Sequence, residues 1–544
     1  MRADSLAGKL RKHSYCDFWK EVKLINNCKA PLPSNIDGTC GSENIAELWR
    51  QHYYELFNCI KNDAFIPDNV DPSENLMITP DEIQKAIINL ENNKACGVDH
   101  ITAEHLKHAS PKVIPLLVFC FYGFFKHGIL PESMIAVQLV PVIKDKTGKI
   151  NSKNNYRPIA LASVLSKVLE TIILSRIAMY ISTNDNQFGF KKKHGTDMCI
   201  FALKELLSKY HGLNTTMFLC FIDSSKAFDK INHSKLFLKL TQRGVPKYIV
   251  RILAFWYSNQ LVQIKWGSSV STSFKVSNGV RQGGILSPYL YNVFMDDLSS
   301  RLNKCKTGCI VGNTVINHLM YADDMVALSP CSAGLQELLS ICSQYGEQFD
   351  ITYNAEKSNI MIVRSKDDRR SVFPQFFLSN KTIDTCNEAK YLGHYISDDL
   401  SDDKDIQRQC SKLYAQANML KRRFHMCSSD VKASLFRAYC TPLYTAHLWG
   451  RYRAKSLHRL NVAYNDALRL LMRVPRWHSA SQLFVSLGLP TFKALLRNLM
   501  YRFMCRLNES TNDILMQLTD PSKSSIRYSS ILWRHWHKSL FVVH

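Results

Sequence analysis

Two short apolar segments that end in aspartates constrain the fold of this chain more than any other feature. MFLCFIDSS, residues 217–225, is almost fully apolar up to Asp223, and HLMYADDMVAL, residues 318–328, sets Asp323 and Asp324 between apolar flanks. The first pattern predicts a buried strand, and the second predicts a β-hairpin with its acids at the tip. An isolated acid pair is most often a surface turn, because adjacent carboxylates are costly to desolvate unless they are paired or bind a cation. The apolar flanks weaken that interpretation here.

The two strand ends lie 100 residues apart in the sequence, and they form a carboxylate cluster if they meet in space. Carboxylate oxygens are hard ligands that suit Mg²⁺, which a few carboxylates hold together with substrate phosphates. Two such ions about 3.5–4 Å apart activate a 3′-hydroxyl and stabilise a leaving pyrophosphate. Phosphoryl-transfer chemistry is therefore the hypothesis that the rest of the chain has to support.

Charge and length indicate a multidomain protein with a polyanionic partner. The chain has 544 residues, which favours two to four domains, and a formal net charge of +23. Nucleic acid is the first candidate partner and an anionic membrane surface the second.

Residues 431–508 hold thirteen Lys and Arg against one acid, Asp466, and so carry about half of the net charge. This block predicts a nucleic-acid surface, with a merely solvated basic face as the alternative; Trp449, Trp477 and Tyr464 within it either stack on bases or pack in the core.

Cysteine usage and hydropathy indicate the compartment. The seventeen cysteines are scattered without the paired spacing of a zinc module, as expected in a reducing environment. The polar N-terminus has no apolar segment of a secretory signal. The most apolar run, VIPLLVFCFYGFFKHGIL, reaches Lys126 after 13 residues, which is too short to span a bilayer and predicts a buried helix.

Local patterns place other elements along the chain. Thr79 and Glu82 form a capping box that predicts a helix start, with Pro80 at the first helical position. Residues 135–143 are predicted to form a strand. SPYLYNVFMDDLSSRL predicts a helix with Ser287 as its cap, and beyond about residue 400 the pattern becomes helical and basic.

A series of motifs resembles a known family. The chain contains, in order, FIDSSKAFD, NGVRQGGILSP, YADD, YNAEKSNIM and KYLGHYI, preceded by NNKACGVDHI, QLVPVIKDK and NYRPIAL. This order resembles the polymerase and finger motifs of reverse transcriptases, in particular those of non-LTR (LINE-like) retrotransposons, over roughly residues 80–400. The resemblance implies an α+β right-hand polymerase with fingers, a palm with an antiparallel sheet, a helical thumb and a basic helical C-terminal extension. The implied boundaries are a linker or extension over 1–75, fingers and palm over 76–400, the thumb over 401–475 and the C-terminal extension over 476–544.

The resemblance also implies roles for individual residues. Asp223 and Asp323 would be direct ligands of two Mg²⁺ ions, which Mn²⁺ could replace, with Asp324 as a supporting ligand. Lys357 would be the general acid toward pyrophosphate. The implied primer grip is the turn formed by Tyr391, Leu392 and Gly393.

The implied nucleotide site includes a gate for the sugar. Phe228 lies five residues after Asp223, where a bulky side chain excludes a 2′-hydroxyl and favours dNTPs. Lys144 and Arg157 would hold the triphosphate. Gln282 would lie against the incoming nucleotide and the template base, and Gly283 would let the backbone approach the substrate.

The predicted function is RNA-directed DNA polymerase activity with an RNA template, a DNA primer and dNTPs as partners. We expect no membrane partner, and an intracellular location in the nucleus, the cytoplasm or both, as a ribonucleoprotein and not as a secreted protein. About 70 residues precede the finger motifs, so we expect endonuclease activity to be absent or supplied elsewhere. The alternatives are a catalytically silent, retrotransposon-derived RNA-binding protein and an RNA-dependent RNA polymerase.

Overall fold

A computed structural model describes residues 2–26, 32–63, 65, 67, 74–368, 370 and 372–520. The last part of the predicted C-terminal extension, residues 521–544, lies outside the described residues. The helices, in chain order, are α1 (Arg2–Arg11), α2 (Tyr15–Asn26), α3 (Ser42–Phe57), α4 (Pro80–Ile88), α5 (Ala103–Lys107), α6 (Val113–His127), α7 (Glu132–Ile135), α8 (Val164–Ile177), α9 (Thr196–Gly212), α10 (His233–Gln242), α11 (Lys247–Ser258), α12 (Ser287–Lys304), α13 (Ser332–Phe349), α14 (Asp403–Phe424), α15 (Ser429–Tyr439), α16 (Ala454–Met472), α17 (Ala480–Ser486), α18 (Phe492–Asn508) and α19 (Asp513–Thr519). The strands are β1 (Asn35–Ile36), β2 (Thr39–Cys40), β3 (Val137–Ile143), β4 (Tyr156–Ala162), β5 (Met217–Ile222), β6 (Leu261–Trp266), β7 (Ser269–Val270), β8 (Phe274–Lys275), β9 (Cys309–Val311), β10 (Thr314–Ile316), β11 (His318–Tyr321), β12 (Asp324–Ser329), β13 (Asn359–Val363), β14 (Phe376–Leu378), β15 (Lys381–Thr385), β16 (Glu388–Tyr391) and β17 (His394–Ser397).

The central sheet has the strand order β11-β12-β5-β13-β15-β14, and all its pairs are antiparallel except β13 with β15. Helices cover both faces of β5. Phe218, Cys220 and Ile222 face the core that contains α10 to α13, and Met217 and Leu219 face the core that contains α9. Burial on both faces explains why this strand is apolar throughout and does not alternate.

A second sheet and a helical bundle complete the fold. The second sheet has the order β4-β3-β6-β7, with β8 paired to β6, and α3 packs on it through Trp49. Helices α14 to α18 share a further core, to which Leu6, Phe18 and Val22 of α1 and α2 also contribute. The α+β class is confirmed. We call the central sheet the palm sheet, the second sheet the fingers sheet and the bundle of α14 to α18 the thumb, after the predicted right-hand arrangement.

Several local predictions are confirmed. Thr79 caps α4 in a capping box, since the Glu82 N–H donates to Thr79 Oγ1 at 3.2 Å and the Thr79 N–H donates to Glu82 Oε2 at 2.8 Å. The predicted strand near 135–143 is β3. The prediction that Ser287 caps α12 is wrong by one residue, because α12 begins at Ser287 and Leu286 already has helical dihedral angles. The start of α12 is held instead by Glu170, whose Oε2 accepts from the N–H groups of residues 285 and 286.

The expectation of a buried helix near residue 113 is wrong in its burial. The helix forms as α6, but its buried side chains are Phe121 and Phe125 alone, whereas Leu116 is 65% and Phe119 77% exposed. Helices α4 and α11 pack against α6 and leave Leu116 and Phe119 exposed, so the apolar sequence of α6 does not predict how much of it is buried. Within the described ranges, no helix combines the length and apolarity that crossing a membrane requires.

Candidate active site

The palm sheet brings the three aspartates of the opening motifs to one edge. Met325 pairs with Ile222 across β12 and β5, so the end of β5 and the turn between β11 and β12 lie side by side. Asp223 follows Ile222 directly. Tyr321 pairs with Asp324, which leaves residues 322 and 323 as the two-residue turn. The predicted hairpin with its acids at the tip is confirmed, and the two strand ends do meet.

The electrostatics of this edge show mutual repulsion between carboxylates. Partial burial, together with the charges of Asp323 and Asp223, raises the pKa of Asp324 to about 6. Partial desolvation and Asp223 likewise raise the pKa of Asp323, although Arg157 opposes the rise. A site that disfavours negative charge in this way gains from a cation, because the cation cancels the repulsion.

Divalent metal ions fit the chemistry of this edge. Asp223, Asp323 and Asp324 supply only carboxylate oxygens, the donor type that hard cations prefer. Among the described residues, no group of three or more His, Cys, Asp or Glu side chains is already arranged to hold a metal ion. By their donor chemistry and their place at one edge of the sheet, Asp223, Asp323 and Asp324 are the residues that could hold such ions, with the remaining ligands coming from substrate phosphates and water.

Lys357 is tied to Asp223 through the backbone. The N–H of Asn354 donates to the carbonyl of Asp223 at 2.9 Å, and the N–H of Asp223 donates to Ser358 Oγ at 3.1 Å. Lys357 lies between these two anchors, is exposed, and lines the same cleft as Asp223. Asp223 and Lys357 are 134 residues apart in the sequence, and these two hydrogen bonds hold them close together.

One cleft of about 1280 Å³ opens beside the aspartates. It is lined by all five predicted nucleotide-binding residues and by the predicted general acid, namely Lys144, Arg157, Phe228, Gln282, Gly283 and Lys357. Partial burial and the neighbouring Arg157 lower the pKa of Lys144. Cations that crowd together in this way provide a favourable site for a polyphosphate. Helix α3 adds a further wall through Tyr53 and Leu56.

Phe228 is held rigidly at the floor of the cleft. Its ring stacks on Tyr291 of α12 with a centroid separation of 4.4 Å. The N–H of Val280 donates to the carbonyl of Phe228 at 2.8 Å. The ring of Phe190 meets that of Phe228 edge-on at 6.3 Å. A ring held by two aromatic neighbours on an anchored backbone can act as a steric barrier.

The loop of residues 281–284 joins the fingers to this floor. Gly283 has φ +106°, a conformation that favours glycine. The N–H of Ala160 in β4 donates to the carbonyl of Gln282 at 2.9 Å. Gln282 Nε2 donates to Asp229 Oδ1 at 2.7 Å. Burial raises the pKa of Asp229 to about 6, against the opposing effect of that hydrogen bond.

A buried ion pair supports the loop from beneath. Arg281 donates from Nη2 to Glu170 Oε1, and its guanidinium lies 4.4 Å from the ring centroid of Trp256. The two charged side chains are 3% and 1% exposed. Because Glu170 also accepts from the backbone at the start of α12, it fixes the position of the loop relative to that helix.

The predicted primer grip is a tight turn between β16 and β17. Leu392 and Gly393 form it with φ of 47° and 82°, and Tyr444 donates from its hydroxyl to the carbonyl of Leu392 at 2.6 Å. Tyr391 is 3% exposed and points into the palm core. Only the turn itself is therefore available to a primer, and the side chain of Tyr391 is not.

The aromatic residues of the basic block divide into two groups. Trp449 and Tyr464 are 1% and 0% exposed and belong to the thumb core. Trp477 is 88% exposed in the loop between α16 and α17, next to Arg476. Of the three, Trp477 alone can reach a base.

Three residues of the site were not singled out from the sequence. Asp229 follows Phe228 directly in the quoted FIDSSKAFD motif, so an acid beside the predicted sugar gate was an available signal. Tyr291 and Glu170 gave no signal, because each acts on a partner that is distant in the sequence, Phe228 and Arg281 respectively.

Comparisons with known proteins agree with this geometry. Residues 143–396 match the family model for reverse transcriptase (RNA-dependent DNA polymerase). The RNA-directed DNA polymerase from mobile element jockey of Drosophila funebris is 24% identical over 539 residues, covering 92% of this chain and 57% of the relative. The probable RNA-directed DNA polymerase from transposon X-element of Drosophila melanogaster is 25% identical over 492 residues, covering 84% of this chain and 52% of the relative. The chain thus spans about half the length of the curated relatives that it matches.

A solved structure of apo telomerase from Candida tropicalis overlaps 75% of this chain and 67% of its own length, with 12% identity and a TM-score of 0.39, a level from which we draw no conclusion. Residues 143–396 form a reverse transcriptase domain of the kind that non-LTR, LINE-like retrotransposons encode.

Proposed function

We propose that this chain is an RNA-directed DNA polymerase that adds dNTPs to the 3′-hydroxyl of a DNA primer on an RNA template. One observation carries the proposal. Asp223, Asp323 and Asp324 converge at the edge of a cleft whose walls hold phosphate-binding cations and the fixed ring of Phe228. That combination supplies a metal site, a triphosphate site and a sugar filter in one place.

In this proposal the acids bind the metal ions and the cations bind the phosphates. Asp223 and Asp323 would hold two Mg²⁺ ions, with Asp324 beside them. When bound, the ions lower the pKa of the primer hydroxyl and stabilise charge on the leaving pyrophosphate. Lys144 and Arg157 bind the triphosphate, Arg157 through a fork that suits two oxygens. Lys357 is positioned by the Asp223 backbone to protonate the pyrophosphate.

The thumb and the turn at 392–393 hold the nucleic acid. The exposed cations among the thirteen of residues 431–508 would contact backbone phosphates and therefore bind without reading sequence. We further propose an intracellular ribonucleoprotein as the working form, because every cysteine in the described ranges is a free thiol, as a reducing compartment requires.

Primer extension on poly(A) with oligo(dT), dTTP and Mg²⁺ tests the proposal. We expect extension by the wild-type chain and its loss in Asp323→Ala. Asp384→Ala is the matched control, because Asp384 is an exposed acid on β15 of the same sheet, away from the cleft. Extension that survives Asp323→Ala contradicts the assignment of the metal ligands.

A parallel reaction separates the alternatives. An inactive wild-type chain that still binds template–primer indicates a silent RNA-binding protein, and preferential use of rUTP indicates an RNA-dependent RNA polymerase. The stacked position of Phe228 favours dTTP, because a ring at that place meets a 2′-hydroxyl.

A further inference from the structure

Residues 186–190, which we name the bracket segment, lie along the strand that leads into the catalytic turn. The N–H of Phe188 donates to the carbonyl of Met320 at 2.8 Å, and the N–H of Met320 donates to the carbonyl of Asn186 at 2.8 Å. Asn186 also donates from Nδ2 to the carbonyl of His318 at 2.9 Å. The bracket segment thus extends the palm sheet beyond β11, right up to the turn.

Within the bracket segment, Gln187 places its amide against Ala322. Oε1 of Gln187 accepts from the N–H of Ala322 at 2.9 Å and from the N–H of Gly189 at 2.8 Å. Nε2 of Gln187 donates to the carbonyl of Ala322 at 3.4 Å. One side chain therefore contacts both backbone polar groups of the residue that precedes Asp323.

Ala322 needs such support because of its conformation. Its φ is 57°, in the left-handed region that L-residues with a Cβ adopt only at a steric cost. Residues held in this region persist where their surroundings determine the conformation, and they concentrate at functional sites. Ala322 is 5% exposed, so water does not supply the missing contacts.

The close approach depends on Gly189. A Cβ added to Gly189 would lie 2.4 Å from the backbone nitrogen of Ala322 and 3.0 Å from Gln187 Oε1. Asn292 of α12 anchors the segment from the other side by donating from Nδ2 to the carbonyl of Gly189 at 2.8 Å. The bracket segment is thereby fixed between a palm helix and the turn.

We propose that Gln187 is a positioning residue for nucleotidyl transfer, whose amide holds Ala322 in its left-handed conformation and thereby directs the Asp323 carboxylate toward Asp223. The proposal rests on the proposed polymerase function. Gln187 is 2% exposed and cannot contact a substrate, so any influence on the reaction passes through the backbone groups that it bonds, those of Ala322 and Gly189. The alternative is a purely structural role in holding the end of the sheet.

Gln187→Met tests the proposal, because methionine has a similar length and removes all three hydrogen bonds. Mn²⁺ binding is measured by electron paramagnetic resonance in the presence of poly(A), a dideoxy-terminated primer and dTTP, so the measurement does not depend on turnover. We expect Mn²⁺ affinity and kcat to fall by roughly tenfold or more, since small displacements of reacting groups have large effects. The Kd for template–primer should not change. Unaltered Mn²⁺ affinity in a folded Gln187→Met chain overturns the proposal.

A second substitution separates positioning from structural support. Glycine adopts positive φ without the steric cost of a Cβ, so Gln187→Met combined with Ala322→Gly should recover several-fold of the lost Mn²⁺ affinity and kcat. A structural role predicts a further loss in the double variant. If Gln187→Met does not fold, Ala322→Val probes the same conformation with Gln187 intact, because a β-branched residue strongly disfavours positive φ. Wild-type Mn²⁺ affinity in folded Ala322→Val contradicts the proposal.

Gln336→Met is the matched control. Gln336 of α13 also bonds both polar groups of one backbone residue, donating to the carbonyl of Phe377 at 3.1 Å and accepting from its N–H at 2.9 Å. Since Phe377 lies away from the cleft, metal affinity and kcat should remain at the wild-type level. An inactive wild type contradicts the proposed function itself, whereas an active wild type with unchanged metal affinity in Gln187→Met contradicts only the role of Gln187.

Discussion

Tyr291 supports Phe228 from below, with the two rings inclined by only 9° and their centroids 4.4 Å apart. Because Tyr291 is 1% exposed on α12, it cannot move aside. Helix α12 therefore sets the position of the Phe228 ring through Tyr291.

The first prediction concerns sugar discrimination. Phe228→Val should raise kcat/KM for rUTP relative to dTTP by roughly 10–100-fold, since a shortened side chain opens space for the 2′-hydroxyl. Steady-state extension on poly(A) with each nucleotide measures the ratio. Tyr291→Phe keeps the stack and should leave the ratio unchanged. Discrimination that persists in Phe228→Val shows that another group excludes NTPs.

The second prediction concerns the buried pair of Glu170 and Arg281. Glu170→Gln leaves an uncompensated guanidinium in the core and should lower the free energy of unfolding by about 3–5 kcal/mol. Urea unfolding followed by circular dichroism measures this loss. The control is Glu388→Gln, which removes one partner of the exposed pair with Lys404 and should change stability by less than about 1 kcal/mol. Equal effects in the two variants contradict a supporting role for the buried pair.

The third prediction concerns pH. Asp197 of α9 accepts from His447 at 3.1 Å and from Arg506. Burial by itself raises the pKa of this carboxyl, but donation from His447 and Arg506 outweighs burial and lowers the pKa to about 2. A depressed pKa stabilises the fold above the ordinary value near 4, and the stabilisation is lost as the pH falls toward 2.

Asp197→Asn should therefore cost about 2 kcal/mol at pH 7 and progressively less below pH 4. Thermal midpoints of both chains between pH 7 and pH 3 give the difference. Asp81→Asn changes an exposed pair with Lys85 and serves as the control, with an expected effect within about 0.5 kcal/mol at each pH. A difference between wild type and Asp197→Asn that does not shrink on acidification excludes ionisation of Asp197 as its cause.

The fourth prediction concerns the thumb. Trp477→Ala should weaken template–primer binding by roughly 1–3 kcal/mol if the exposed ring stacks on a base. Fluorescence anisotropy at one fixed salt concentration measures the Kd, because salt alone shifts affinity strongly. Phe119→Ala removes a ring of similar exposure on α6, outside the basic block, and should have no effect. Identical Kd values for wild type and Trp477→Ala exclude stacking by this residue.

The sequence predicts those parts of the site that are encoded over short distances. The strand that ends at Asp223 and the hairpin that carries Asp323 follow from local hydropathy and turn chemistry. Their meeting follows from the pairing of β5 with β12, and the ordered motifs indicated it. The cap of α4 is likewise complete within four residues.

What the sequence does not predict is encoded in partners that are far apart. Glu170 and Arg281 are separated by 111 residues, and nothing in either segment identifies the other. The same applies to the contact of Gln187 with Ala322, 135 residues away. The exposed face of α6 was mispredicted for a related reason, since apolar composition does not reveal how many neighbours a helix has.

The packing of α1 and α2 in the thumb core has a consequence for the order of events during synthesis. Leu6, Phe18 and Val22 complete a core whose other members begin at Ile406, so these side chains leave the ribosome about 400 residues before their partners. At 5–20 residues per second this delay is on the order of 20–80 s. During that interval the apolar faces of the two helices lack these partners, so the core that they share with α14 to α18 forms only after those helices have been synthesised.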